Sequence, residues 1–163
     1  MADPLSSTTL CTSCGLCCTG ALHRDALLYA DELDSARAQG LKIIDGDRPA
    51  FALPCPKLVG TSCSIFASRP RVCGGYKCQL LLDLEDGNTT LDNALATVGI
   101  ARDLYANAQE YGPRTDDSEL AAHRIRLNRT ALALYLDKFF MNSTDRKILE
   151  MTVVGTPAIE PET

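Results

Sequence analysis

Towards the end of the chain the apolar positions fall into a helical rhythm. Ala121, Ile125, Leu132, Tyr135, Leu136 and Phe139 recur at intervals of three and four, the spacing that turns one face of an α-helix to a core. Ser118 stands where a capping residue would open that helix, which runs to about Met141. Thr89 or Thr90 is placed to cap an earlier helix reaching about Tyr111, before Gly112-Pro113. The stretch YKCQLLLDLED predicts a shorter helix that starts at Cys78 and stops near Gly87.

The first half has a different rhythm. ALLYADELDSARAQG predicts one short helix ending at Gly40, a residue suited to a helix C-terminus. LKIIDGDRPAFAL reads as two short strands about an Asp45-Gly46 turn. CPKLVGTSC and SRPRVCGGYKC, punctuated by Pro54, Pro56, Gly60, Pro70, Gly74 and Gly75, read as loops. The expected fold is a small mainly α protein with a minor β hairpin. A disordered start (1–9) precedes an irregular cysteine-rich region (10–86), which packs on a helical region (87–154) ahead of a disordered tail (155–163).

Composition sharpens this division. The 163 residues are 45% hydrophobic and 23% charged, with no Trp, which fits one globular unit with an aliphatic core. The net charge of −5 argues against general nucleic-acid or anionic-membrane binding. No run approaches the roughly 18 apolar residues of a membrane span. MADPLSSTTL lacks the basic and apolar stretches of a secretory signal. The expected compartment is therefore cytoplasmic, where thiols stay reduced.

All eight cysteines lie in the first half: Cys11, Cys14, Cys17, Cys18, Cys55, Cys63, Cys73 and Cys78. Disulfides suit an even number, but the missing signal and the adjacent pair Cys17-Cys18 speak against them. Simple burial gives no reason to cluster four thiols within CTSCGLCC. Metal ligation does, because a C-x2-C turn brings two sulfurs to one ion at about 2.3 Å. Cys11, Cys14 and Cys17 also repeat the C-x2-C-x2-C run that wraps an iron–sulfur cluster. Neighbouring side chains of an extended backbone diverge, so Cys17 and Cys18 can serve different centres. The eight thiols then divide either as 11, 14, 17, 18 and 55, 63, 73, 78, or in an interleaved way. Zinc and iron–sulfur clusters both suit soft thiolates. Each four-thiolate centre of either kind carries about −2. The window 48–82 holds five cations (Arg48, Lys57, Arg69, Arg71, Lys77) and no acid, a distribution that would compensate such charge or form a solvated basic face.

The residues CTSCGLCC, followed by PCPKLVGTSCSIFASRPRVCGGYKC, resemble the YkgJ-type CxxCxxCC cysteine-cluster family of zinc- or iron-chelating proteins. The shared elements are Cys11 to Cys18, Cys55-Pro56 with Leu58, Cys63 with Ile65 and Phe66, Arg69-Pro70, and Cys73, Tyr76 and Cys78. Gly74 stands where an Arg is common. The resemblance implies that the eight cysteines are metal ligands. A related branch, the flagellin lysine N-methylases, joins such a cluster to methyl transfer from S-adenosylmethionine; no glycine-rich fingerprint for that cofactor occurs in this chain. Metal binding, an iron–sulfur redox or sensing role, and a cluster-containing methyltransferase are thus the three functional readings. His23, five residues past Cys18, is a candidate replacement ligand, and more simply a surface or half-buried residue. His123 reads as solvated, as do Arg124, Arg126 and Arg129. No haem-attachment, phosphate-loop, H-E-x-x-H or nucleophile-elbow motif is present.

Overall fold

The computed structural model describes residues 4–110 and 119–147. The α-helices include α1 (Pro4–Cys14), α2 (Leu33–Ala38), α3 (Arg71–Gly75), α4 (Gln79–Glu85), α5 (Leu91–Glu110) and α6 (Glu119–Phe139), and residues 143–147 are helical as well. The strands are β1 (Asp25–Leu27), β2 (Ile43–Ile44), β3 (Ala50–Ala52), β4 (Leu58–Val59) and β5 (Ser62–Cys63). The fold is small and mainly α, as the sequence predicts. No helix among the described residues is long and apolar enough to cross a membrane.

The helical part is built on small residues. Ala94, Val98, Ala101 and Ala108 are buried at intervals of four, three and seven along α5, so one face of that helix lets its neighbours come close. Onto this face pack α1 and α6, and α4 closes against α1 and α5. Leu10, Leu16, Leu80, Leu84, Leu136 and Phe140 fill the space between. Each such side chain contributes about 1.5–3 kcal/mol relative to exposure. Of the predicted α6 stripe, Leu136 is buried and Leu132, Tyr135 and Phe139 pack against the same core. The expected caps are partly visible: Thr90 Oγ1 accepts from Asn93 N–H at 3.3 Å at the start of α5. Ser118, the side chain of Ala121 and the tail 155–163 lie outside the described residues.

The start of the chain corrects the expectation of disorder, since residues from Pro4 onward form α1. Its Ser/Thr-rich sequence looks like a linker, but Thr9 and Thr12 turn their hydroxyls onto the carbonyls of Leu5 and Thr8. Leu10 is buried in the helical core. Pro4 suits a first helical position, where its missing N–H costs nothing.

The cysteine-rich part has a second, smaller core of Leu28, Ala36, Leu41 and Phe51. The helix α2 ends just before Gly40, near where the sequence predicts. Gly40 N–H reaches the Arg37 carbonyl and Leu41 N–H the Ala36 carbonyl, and φ is +73° at the glycine, a Schellman ending. The expected hairpin exists, with Ile44 opposite Ala50, but a longer loop joins its strands rather than a two-residue Asp-Gly turn. A third strand, β1, adds on the other side of β3. Phe51 stands opposite both Ala26 and Ile43 and is 1% exposed. Two segments expected as loops are ordered differently: CPKLVGTSC is the β4–β5 hairpin, and RVCGG is the single turn α3.

Candidate metal centre

The cysteines arrive from several pieces of local structure. Cys11 and Cys14 lie one turn apart on α1, so their side chains share a face. The chain then leaves the helix at Gly15, where φ is +67° and the Thr61 carbonyl oxygen lies 2.9 Å from where a Cβ would stand. Only glycine permits this contact. It seats the turn of β4–β5, and hence Cys63, against the loop that carries Cys17 and Cys18. Cys55 N–H donates to the Cys18 carbonyl at 2.8 Å, which fixes Cys55 beside Cys18. Cys73 rides on α3 and Cys78 precedes the first turn of α4. All eight thiols line one cavity of about 940 Å³.

Within that cavity the thiols rest on different cores. Cys14 and Cys78 pack against the helical core, and Cys55 against the sheet core. Charge interactions divide them the same way. Ionised Cys17 would be repelled chiefly by Cys78, then Cys14 and Cys18, and Cys78 by Cys14 and Cys11. Cys73 feels Cys18, Cys55 and Cys63. Cys18 feels Cys55 and Cys63 ahead of Cys14 and Cys11. The mutual influences run mainly among Cys11, Cys14, Cys17 and Cys78 and among Cys18, Cys55, Cys63 and Cys73, with Cys18 also acting on Cys17, and Cys14 and Cys11 on Cys18.

Burial is the leading influence on these thiols. It pushes Cys14 and Cys18 up to about 11, and Cys73 and Cys78 up to about 12. Cys17 rises further, and Cys11 and Cys55 also rise. Backbone N–H groups oppose the shift at Leu16 for Cys14, at Lys57 and Leu58 for Cys55, and at Leu81 and Leu80 for Cys78. Nearby cations also oppose it: Arg69 for Cys11 and Cys73, Arg102 for Cys14, and Lys57 for Cys55. N–H dipoles and cations aimed at buried sulfurs favour the ionised thiolate, the form that ligates a metal.

The five cations of the acid-free window do not all serve the cysteines. Arg71 pairs with Asp31 and Glu32, and Lys77 with Glu85 at 2.7 Å. Lys57 and Arg69 bear on the thiols, and Arg48 lines the cavity. Arg69 lies over the Phe66 ring and reaches Gly74, its Nε 3.6 Å from where a Cβ of Gly74 would stand. Arg102 went unnoticed in the sequence. It lies on α5 and donates to the Ser13 carbonyl at 3.2 Å, and nothing in its local pattern marks it.

His23, Tyr76 and Asp145 share the cavity wall. Tyr76 O–H donates to Asp145 Oδ2 at 2.8 Å. Burial, and then this hydrogen bond, push its phenol far up, so it remains a donor. Asp145 was not singled out by sequence reasoning, although its N-x-x-D spacing from Asn142 is a capping box. Asn142 Oδ1 accepts from Asp145 N–H, and Asp145 Oδ2 from Asn142 N–H. Asn142 also donates to the Lys77 carbonyl at 2.8 Å, joining the end of the helical part to the segment before Cys78. His123 is exposed on α6.

As the side chains stand, no three His, Cys, Asp or Glu groups among the described residues close on one ion position. The thiols share a cavity rather than a finished cage. Their chemistry nevertheless fits a thiophilic metal: soft donors, desolvated, with N–H groups and cations around them.

The CxxCxxCC family model, described as "Putative zinc- or iron-chelating domain", matches residues 10–95. That segment contains every cysteine and ends within α5. No curated protein and no solved structure matches the chain.

Proposed function

The chain belongs to the CxxCxxCC family, and from that premise we propose that its eight thiolates hold two metal centres. Cys11, Cys14, Cys17 and Cys78 form one, and Cys18, Cys55, Cys63 and Cys73 the other. The observation that carries this reading is the single cavity that all eight cysteines line. A metal with four thiolate ligands is coordinatively closed, so the centres hold the fold and retain metal rather than activating a substrate. Each site collects ligands from distant parts of the chain. The first joins α1 to α4, and the second joins the Cys18 loop to β5 and α3.

A second reading has its own support. Cys11, Cys14 and Cys17 at C-x2-C-x2-C spacing, joined by one remote cysteine, match the ligand pattern of a four-iron cluster. The first centre would then be an electron carrier or sensor, and the second a zinc site or another cluster.

Anaerobic purification with metal and inorganic sulfide analysis separates the two. Zinc at two ions per chain without sulfide supports the all-zinc form. Iron with matching sulfide supports the redox form. A folded chain that carries no metal and takes up none would refute both.

A further inference from the structure

His23 is a nitrogen donor with no work assigned to it. Its side chain is 32% exposed, yet Nε2 itself is buried without a hydrogen-bond partner, a costly arrangement for a polar atom. The ring is held in place. The Tyr76 ring meets it edge-on, with centroids 5.0 Å apart and planes at 88°. Asp145, 8% exposed, keeps Oδ1 3.9 Å from Nε2, beyond hydrogen-bond reach. The other oxygen of that carboxylate is committed to Tyr76 and Asn142. His23 lines the same cavity as the thiols. Tyr76, whose ring it meets, feels the charges of Cys17 and Cys78, which places His23 toward the proposed Cys11, Cys14, Cys17 and Cys78 centre. Within that group Cys11 is the exposed thiol and the other three are half-buried.

A tetrahedral ion accepts four ligands, and three thiolates with one imidazole are as good a set as four thiolates. We propose that the fourth position of this centre is exchangeable between Cys11 and His23. When the Cys11 thiolate leaves, it takes a proton from solvent. Neutral His23 then donates its Nε2 lone pair to the ion, and the centre becomes one unit less negative. Such a position gives an otherwise closed centre a route by which metal enters and leaves. This inference rests on the two-centre reading, and the test separates their failures.

The test loads the full chain with cadmium-113 under anaerobic reducing conditions and records metal-to-proton couplings by NMR. The wild-type chain is expected to bind two ions. Cys11→Ala is expected to keep two, with the His23 ring protons now coupled to one cadmium resonance. Cys11→Ala/His23→Gln is expected to lose one ion, while His23→Gln and His123→Gln alone keep both. If Cys11→Ala does not fold, Cys11→Ser serves in both comparisons. Loss of an ion in the single Cys11 variant would overturn the exchange, as would two ions without imidazole coupling. Failure of the wild-type chain to bind two ions would instead sink the two-centre reading.

Discussion

The two cores of this protein are held by different means. Around α5, long helices bury Leu10, Leu16, Leu80, Leu84, Val98, Leu136 and Phe140 in one continuous cluster. Around β3 the buried cluster is four residues, and its strands are two or three residues long. Strands that short do not sustain a sheet alone. That part of the chain also leaves Leu27, Tyr29, Ile44, Val59 and Phe66 exposed. Apolar burial is therefore concentrated in the helical part, and on the proposed reading the sheet part leans on the metal its cysteines hold. On that reading the difference teaches where metal binding would act as folding energy: on the loops, with the helices as the platform.

The largest expected effect is on removing metal. In small domains a structural zinc ion contributes on the order of 10–16 kcal/mol, more than the sheet core supplies by burial. A chelated chain is expected to keep its helical circular dichroism. The amides of Phe51 and Ala52 should lose hydrogen-exchange protection while those of α5 keep it. Uniform protection after verified metal loss would erase the contrast, and so would simultaneous loss everywhere.

The same side-chain deletion in each core sharpens the point. Phe51 and Phe140 are both 1% exposed, and truncating a buried Phe costs about 3–5 kcal/mol. Phe140→Ala should lower the thermal midpoint of the chain with or without metal. Phe51→Ala should act mainly on the loaded state, reducing metal retention while α5 and α6 keep their protection. Equal effects of the two variants in the absence of metal would mean the two cores unfold as one.

This contrast also governs what the sequence disclosed. α4, α5 and α6 were legible because burial follows a 3.6-residue period and stops at recognisable capping residues, such as Thr90 and Gly87. Gly40 disclosed the end of α2 for the same reason. α1 was hidden because its helix leans on Thr hydroxyls and on Leu10, a pattern that reads as a linker. β1 was hidden because three residues carry no period. The family elements from Cys11 to Cys78 pointed to the candidate site, and the cavity collects all eight thiols. The proposed grouping of Cys78 with Cys11, Cys14 and Cys17 was undecidable, because it depends on α4 returning beside α1. Asp145 was missed for the same reason: its contacts with Tyr76 and His23 are made only in the folded chain.

Gly15 is the hinge between the two cores. Gly15→Ala would force a side chain into a left-handed backbone conformation, which costs about 1–2 kcal/mol, and would press its Cβ onto the Thr61 carbonyl. The clash is with backbone, so the β4–β5 hairpin has to move. The expected result is a loss of about 2 kcal/mol in the loaded chain, with altered retention at the Cys18, Cys55, Cys63 and Cys73 end. An unchanged chelator-extraction profile would show that the hairpin is not held through this contact.

The smallest expected effect tests the last tie between the parts. Tyr76 O–H reaches Asp145, which Asn142 holds in its capping box while Asn142 also reaches the Lys77 carbonyl. Tyr76→Phe keeps the ring against His23 and removes only the donor. A hydrogen bond to a charged group contributes about 1.5–3 kcal/mol. Asp145 retains the Asn142 N–H, so the loss should fall near the lower end of that range. The change should appear as faster hydrogen exchange at 142–147 and around Cys78, with Phe51 unaffected. If Phe51 loosens as much as residues 142–147, the Tyr76–Asp145 bond supports the sheet part as well, and the boundary between the two cores has to be moved.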